Sequence, residues 1–487
     1  MKVILVNPGI SKSRSYGKFQ KHGAVMHPLG LCYIGSMLEK ADIDIEIYDF
    51  CLTDLDVGEQ AQQIIRGQPK LVGFYVTTMA FTTALSIADK IKQISPTIKT
   101  IFGGPHVTAL PDLAMQNLAV DFVGRGEGEY LMLDLVKVLA AGDDDFSNIL
   151  GLSWRRNGAT IHNRMRPPIM DLDLLPFPAR HLLPDVSKYR PASIYWRRLP
   201  SLHIYTTRGC PHKCIFCQSS QLAPGNVFGR RVRSHSVDYS ISEIKHLISD
   251  YHIKEIIIND DTFNINKRRV YDFCEAMMKK DLHKKIEWSC NIQVGSRTVD
   301  KDMLKIMRRA GCWQIMPGFE SGDQKILNLI KKGITLEESM NVCRWAREVG
   351  LIIKANFILG HPLETHQSVM KTIHFAHKIK AHFVSFTLMS PLPGTELYDM
   401  APNYGFTNRT DFDSVAFSGS SKHIPFVPKD LTEAELRQYL DKAYRSIYLN
   451  PRVVFENVKA LRSWAGVATY FKALTTLLFL KLHKSKK

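Results

Sequence analysis

Thr207-Arg208-Gly209-Cys210-Pro211-His212-Lys213-Cys214-Ile215-Phe216-Cys217 is the stretch on which the reading of this chain turns. Three of the nine cysteines stand here in a C-x3-C-x2-C spacing on one short loop. That spacing can gather three thiolates around a cubane iron–sulfur cluster and leave the fourth iron open to an outside chelate. A structural zinc needs a fourth ligand, usually from a second Cys/His pair, and no second CxxC pair occurs, although His212 lies inside the loop. The other cysteines, Cys32, Cys51, Cys274, Cys290, Cys312 and Cys343, are scattered singly in apolar surroundings, as small buried hydrophobes are. An odd total, wide scatter and one tight group argue against a disulfide scaffold and for a reducing compartment with a metal site.

The loop follows a strand-like run, Leu202–Thr206, and five more such runs come after it: Glu255–Asn259, Ile286–Ile292, Trp313–Phe319, Ile352–Leu359 and Phe383–Met389. Helical stretches separate them, at Ser242–Tyr251, Arg269–Lys280, Lys301–Ala310, Leu336–Val349 and Gln367–Lys380. Six strand–helix units predict a partial (β/α)6 barrel, since eight would close it. Upstream the same alternation appears, with strands at Val3–Val6, Ile43–Tyr48, Leu71–Val76, Thr100–Phe102 and Val120–Val123. Leu29–Lys40, Gly58–Arg66, Phe81–Ser95 and Tyr130–Ala141 supply the helices. The fold class is therefore α/β, a doubly wound parallel sheet followed by the partial barrel and a helical C-terminal region.

Ligands of doubly wound sheets settle at the carboxyl ends of the strands. Small residues cluster at those ends here: Asn7-Pro8-Gly9, Thr77-Thr78, Gly103-Gly104-Pro105-His106 and Gly124-Arg125-Gly126-Glu127-Gly128-Glu129. One such loop is an ordinary βα turn; four along one edge indicate that backbone approaches a large flat ligand closely. No Gly-x-Gly-x-x-Gly follows the first strand and no phosphate loop occurs. Between the two halves, a hairpin over Ile149–Ile161 turned at Asn157-Gly158 and the Pro-rich Pro167-Pro168 and Pro176–Pro178 read as a connector. The expected units are 1–142, a linker 143–198, the barrel 199–410 and a helical region 411–487.

At 487 residues, 45% hydrophobic and 23% charged, the composition is that of a globular multidomain chain. A net charge of +17 favours anionic partners. No compact module with interleaved basic and aromatic residues appears, which argues against nucleic acid. Val3–Val6, broken by Asn7-Pro8-Gly9, is too short for a signal-peptide core, and no uninterrupted apolar run of about 20 residues occurs, so a cytoplasmic protein is expected. Thr432–Ile447 reads as an amphipathic helix with Thr432 near its N-cap. In Val467–Leu482, Phe471, Leu474, Leu478 and Leu482 share one helical face, and the basic His483–Lys487 follows. Packing on the barrel and binding at the inner face of an anionic membrane are both open for this helix; the second would suit a lipid or other hydrophobic substrate.

The cysteine loop resembles the radical S-adenosylmethionine (SAM) signature C-x3-C-x-φ-C, with Phe216 as the aromatic. Further marks similar to that superfamily are Asp260-Asp261-x-Phe263, Gly318-Phe319-Glu320-Ser321-Gly322, Phe357-Ile358-x-Gly360-x-Pro362 and Ser390-Pro391-x-Pro393-Gly394-Thr395. The first half resembles the cobalamin-binding domain joined to many such enzymes, through Pro28-Leu29-Gly30-Leu31, Gly103–His106 and Gly126–Glu129. Together these likenesses span roughly residues 1–400 and resemble the class holding the anaerobic magnesium-protoporphyrin ester cyclase and various carbon methylases. The resemblance implies a 4Fe-4S cluster on Cys210, Cys214 and Cys217, with SAM on its open iron and cobalamin in the first domain. It also implies a low-potential electron donor such as flavodoxin or ferredoxin, and a small-molecule substrate. A 5′-deoxyadenosyl radical would take hydrogen from a substrate carbon, with methyl transfer from methylcobalamin favoured. Cyclisation or rearrangement of a tetrapyrrole, terpenoid or lipid-like scaffold is the alternative.

Under the same resemblance Thr77, Gly103, Gly104, Pro105, Gly126, Glu127, Gly128 and Glu129 are candidates for cobalamin, and Phe216, Arg297, Glu320 and Ser321 for SAM. Glu320 is equally readable as a salt-bridged strand-end carboxylate, and Arg297 as a solvated arginine. Asp260 and Asp261 are candidate catalytic acids, able to position substrate or raise one another's pKa; loop capping is the alternative. Two departures stand out. Leu363 occupies the place of a second glycine in Gly360-His361-Pro362-Leu363-Glu364-Thr365. The Asp-x-His-x-x-Gly motif that supplies a cobalt-ligating histidine is missing; only His27-x-x-Gly30 remains, with Val25 in the Asp position. Without that carboxylate the ring loses its orienting partner, so cobalamin without a histidine axial ligand is expected and His27 reads as a loop histidine.

Overall fold

The computed structural model of the chain describes residues 1–10, 25–220, 232–295, 297–415 and 423–460. Two parallel sheets organise it. The first contains β1 (Lys2–Asn7), β2 (Asp44–Asp49), β3 (Leu71–Tyr75), β4 (Lys99–Gly103), β5 (Phe122–Gly124), β6 (Leu152–Arg156) and β7 (Ala159–His162), in the order β2-β1-β3-β4-β5-β6-β7. Val3–Val6 of β1 are wholly buried because β1 lies between two neighbours with a helical layer on each face. Helices Leu29–Glu39 and Glu129–Ala140 bury Leu31, Leu38, Leu131 and Leu135 on one side. Helices Val57–Arg66 and Phe81–Ile94 bury Ala61, Ile64, Ala84 and Ile87 on the other.

The hairpin expected in the connector forms and turns at Asn157-Gly158, both at positive φ. It is not free-standing: β6 pairs antiparallel with β5, Val123 opposite Ser153. The hairpin therefore extends the first sheet, held there by Trp154, which packs edge-on against Phe146, itself edge-on to Phe122. A linker boundary before it thus cuts through a sheet.

The second sheet is all parallel: β8 (Ser201–Ile204), then, after two short strands described below, β11 (Glu255–Ile258), β12 (Glu287–Ile292), β13 (Cys312–Glu320), β14 (Ile352–Leu359) and β15 (Phe383–Leu388), side by side in chain order. This is the six-stranded partial barrel. Its β15 edge would present unpaired backbone groups, and the helix Glu433–Tyr448 covers it. The Tyr448 hydroxyl accepts from Val384 N–H and donates to its carbonyl, and Tyr444 does the same at Phe386. That helix starts where the sequence placed it, with Thr432 and Glu435 in a reciprocal capping box. The expected apolar helix at 467–482 and the basic tail lie outside the described residues. Among the described residues no helix is long and apolar enough to cross a membrane.

Candidate active site

The cysteine loop leaves β8 through β9 (Thr207–Arg208), which pairs antiparallel with β10 (Arg233–Ser234). Asp260, just past β11, is fully buried and pins the root of the loop. Its carboxylate accepts from the N–H groups of Thr206 (2.6 Å) and Thr207 (3.0 Å) and from the Thr206 hydroxyl (2.5 Å). Further along, Ile215 N–H donates to the Ile330 carbonyl at 3.1 Å, and Leu397 N–H donates to the Ile215 carbonyl at 2.9 Å. Phe216 packs edge-on toward His361, centroids 6.4 Å apart.

Cys210 and Cys214 are buried and Cys217 is half-buried. Burial pushes all three thiols up, Cys214 to about 12, so as thiols they would stay protonated. Lys332 opposes this at Cys210 and Cys214. Burial disfavours the charge of Lys332 itself, but Glu320, Cys214 and Cys217 outweigh that and raise its pKa. A cationic group fixed beside buried thiols suits thiolate ligands of iron. Among the described residues no three His, Cys, Asp or Glu side chains form a site for a single metal ion. Three thiols from one short loop fit the ligand set of a multi-iron cluster with one iron left open.

Glu320 closes β13 at φ 64°, where the register with β14 shifts. Its carboxylate bonds to Lys332 at 2.7 Å. Of the two readings of Glu320, the salt-bridged carboxylate is the one formed. Gly318 leaves room for the Glu320 carboxylate, which a Cβ there would displace. Ser321 is buried, its hydroxyl 3.2 Å from that of Thr372 and accepting from Asp323 N–H, which fixes the turn after the bulge. Arg297 lies exposed on the loop after β12.

The two aspartates separate in role. Asp260 is spent on the loop backbone, a positioning rather than a substrate-contacting group. Asp261 accepts from the Ser219 hydroxyl at 2.8 Å and lines a cavity. Burial raises the pKa of each, and neither acts on the other, so the expected mutual pair does not form.

That cavity, of about 330 Å³, lies between the carboxyl edge of the first sheet and the cysteine loop. Gly103, Gly104, Gly126 and Gly128 line one wall; Tyr205, Thr207, Arg208, Gly209 and Asp261 line the other. Gly104 stands at φ 111°, and an added Cβ would lie 2.8 Å from the Val76 carbonyl oxygen, so no side chain fits there. Thr77 and Pro105 do not line the cavity: Thr77 accepts from Ala80 N–H in a short turn, and Pro105 opens the helix Pro105–Ala109.

Glu127 and Glu129 border the cavity but direct their carboxylates at arginines. Arg208 bonds to Glu127 at 3.1 Å and Glu129 at 2.6 Å, and Arg233 bonds to Glu127 at 2.9 Å. The Arg208 guanidinium also lies 5.1 Å from the Tyr33 ring centroid. These residues tie the glycine edge to the cysteine loop.

His27 lies in the loop before the helix Leu29–Glu39, but it is a buried loop residue. It is 4% exposed, its ring tilted against that of His203 with centroids 3.8 Å apart, and its Nε2 accepts from Arg180 Nε at 3.3 Å. Arg180, itself fully buried, also donates to Glu243 at 2.8 Å. No histidine is among the described residues lining the cavity. A side-chain-poor edge of this kind fits a large planar cofactor.

The Radical SAM superfamily matches residues 204–376 and the B12 binding domain matches residues 19–136. An uncharacterized methyltransferase of Pyrococcus horikoshii is 35% identical over 94% of this chain and 95% of its own. The chain belongs to the B12-binding radical SAM enzymes. A magnesium-protoporphyrin IX monomethyl ester cyclase of Cereibacter sphaeroides is 25% identical over 87% of this chain and 67% of its own. Among solved structures, the cobalamin-dependent radical SAM enzyme OxsB aligns with TM-score 0.71 at 17% identity, over 98% of this chain and 70% of its own. TsrM of Kitasatospora setae aligns with TM-score 0.65 at 18% identity, over 82% and 76%. These two establish the fold. As a B12-binding radical SAM enzyme, the protein uses a 4Fe-4S cluster, SAM and cobalamin.

Sequence reasoning missed Lys332, Arg208, Arg233, Tyr33 and Tyr205. None sits in a periodic pattern; each gains its role from a partner distant in the chain.

Proposed function

We propose that this radical SAM enzyme transfers a methyl group to a carbon of a small-molecule substrate. Cys210, Cys214 and Cys217 would hold the cluster, and Gly103, Gly104, Gly126 and Gly128 would cradle cobalamin. The observation that carries the reading is the shared cavity: the glycine edge of the first sheet and the root of the cysteine loop form opposite walls of one space. When bound, the cluster with SAM supplies one-electron hydrogen abstraction and cobalamin supplies a methyl group.

The chain's own residues set the stage for that chemistry. Asp260 fixes the start of the loop, and Lys332 places a positive charge beside the thiolates while Glu320 holds Lys332 in position. Arg208, bonded to Glu127 and Glu129, fixes the spacing of the two walls. With His27 committed to Arg180 and no histidine among the described residues that line the cavity, we infer cobalamin bound without a histidine ligand. The Co(II) EPR spectrum of the bound cofactor should then lack nitrogen splitting from imidazole.

Likeness to the cyclase supports a second reading, oxidative cyclisation. Anaerobic incubation of reconstituted protein with SAM, cobalamin and a low-potential reductant separates the two. 5′-Deoxyadenosine together with S-adenosylhomocysteine supports methyl transfer. Deoxyadenosine alone supports cyclisation, and neither product overturns both.

A further inference from the structure

The interior of the barrel is not built like a packed core. Along β14, Ile353, Ala355, Phe357 and Leu359 belong to the apolar core on the helix side. The alternate residues, Lys354, Asn356 and Ile358, face inward by the period of the strand. The same alternation turns Asn259, Asn291, Ser385 and Thr387 inward, and all four are half-buried where their outward neighbours are fully buried. Branched apolar residues fill the usual barrel interior; here Trp313, Ile352 and Phe383 close its amino end as a small apolar cluster, and beyond them the inner face carries the polar side chains of Lys354, Asn356, Asn259, Asn291, Ser385 and Thr387.

Near the amino ends of the strands, Lys354 is 2% exposed. Its ammonium donates to the Tyr195 hydroxyl at 2.5 Å and to Asn356 Oδ1 at 2.9 Å. It also lies 4.0 Å from the Tyr195 ring centroid. Tyr195 comes from the short turn Ser193–Tyr195 beneath the barrel. Every group meeting Lys354 is neutral: among the described residues no carboxylate pairs with it. Two other deeply buried cations are ion-paired, Arg180 with Glu243 and Lys332 with Glu320, while Arg125 is met by the backbone carbonyls of Leu152 and Asn163. A buried ammonium without a counter-charge keeps its desolvation cost uncompensated. Buried and without partners nearby in the sheet are Ser289 Oγ and Gln314 Oε1, which face each other across β12 and β13.

We propose that the barrel interior is a chamber for a hydrophilic substrate bearing an acidic group, a carboxylate or phosphate, which docks on Lys354. This rests on the reading that the enzyme acts on a small molecule, and it differs from the lipid-like substrate that the membrane reading of the C-terminal helix would suit. The Lys354 ammonium sits level with Asn356, three residues below the end of β14 at Leu359, roughly 10 Å along the strand. The reacting carbon of the substrate is therefore about that far from its anionic group. Tyr205 links chamber and cavity, since it lines the cavity and its hydroxyl accepts from Asn259 at 3.1 Å.

The test is thermal unfolding of the cluster-loaded protein in sodium phosphate or sodium acetate, with chloride at equal ionic strength as reference. The wild type should gain about 2–4 °C at saturating anion, by preferential binding to the folded state. Lys354→Met should lose this shift and Lys354→Arg should keep most of it. A response to phosphate alone identifies a phosphoryl group, and a response to both admits a carboxylate. No shift in the wild type, or an equal shift in Lys354→Met, overturns the proposal. If Lys354→Met fails to fold by circular dichroism, loss of the shift in Lys354→Gln decides the matter. This measurement needs neither SAM nor cobalamin, so its failure is separate from failure of the deoxyadenosine assay.

Discussion

The two sheets are both built from parallel strands alternating with helices, the first with β1 at its centre and an antiparallel hairpin at one edge, the second in plain chain order, and they differ at their carboxyl edges. The first ends in glycines, with Gly103, Gly104, Gly126 and Gly128 leaving an open wall. The second ends in buried charge and sulfur: Asp260, Glu320, Lys332 and the three thiols. The inner faces differ too. Both faces of the first sheet are apolar, whereas the second is apolar toward its helices and, within, apolar at the amino end and polar beyond it. The lesson is a division of labour: absent side chains make room for a large rigid group, and present ones fix a small charged group. One αβ frame serves both because backbone hydrogen bonds hold the sheet whatever stands at its edge.

The sharpest way to break this comparison is to disable each edge separately. Cys210→Ser, Cys214→Ser and Cys217→Ser combined should abolish bound iron and sulfide while cobalamin retention changes by about twofold or less. Gly103→Leu should do the reverse. An added Cβ there meets nothing nearer than 4.0 Å, so the side chain enters the cavity without straining the sheet. Cobalamin binding should fall at least about 100-fold with iron content unchanged, as expected when a ligand's volume is occupied. Metal analysis and cobalamin absorbance read both; loss of both cofactors in either variant would show that the edges are not separable.

Next in size is the link between them. Arg208→Met leaves the half-buried Glu127 with Arg233 but strands Glu129, which should cost about 3 kcal/mol in urea unfolding. Both cofactor sites should weaken together, unlike in the single-edge variants.

A smaller effect belongs to the barrel alone. Glu364 is fully buried, and burial pushes its carboxyl up to about 8, against the N–H groups of Gly360 and His361 that it accepts. The folded chain thus holds a proton that the unfolded chain has released between about pH 4.5 and pH 8. Stability from this group therefore falls as pH rises through that window. Glu364→Gln should flatten the decline, its advantage over wild type growing from pH 5 to pH 8 in thermal unfolding.

The smallest concerns Leu363, which stands at φ 58° and is 56% exposed. Here the side chain that departs from the family pattern keeps the left-handed turn a glycine would make. Leu363→Gly should stabilise by about 0.5–1 kcal/mol, relieving αL strain at little cost in burial. An unchanged urea midpoint would mean that the turn carries no strain.

Much of this was legible in the sequence. The short apolar runs marked the strands of both sheets because each is buried between helices or neighbours. Thr432 with Glu435 marked a helix start, and the glycine clusters marked the cavity edge. The hairpin was visible but its place was not, since pairing with β5 depends on Trp154 meeting Phe146. That His27 lies in a loop was visible, but its burial was not, since the contacts with His203 and Arg180 come from residues more than a hundred positions away. Asp260 and Asp261 read as a pair because adjacency in sequence says nothing about which backbone groups each carboxylate meets.

By itself the sequence determined the two αβ halves, the cysteine loop and the glycine edge, because these follow from local spacing and alternation. Only the tertiary structure decided that Glu127 and Glu129 serve Arg208 and Arg233, that Asp260 anchors a loop, and that Lys354 lies buried among neutral groups. Each of those depends on partners tens to more than a hundred residues away, brought together when the sheets pack, and the meaning of a charge is set by what surrounds it.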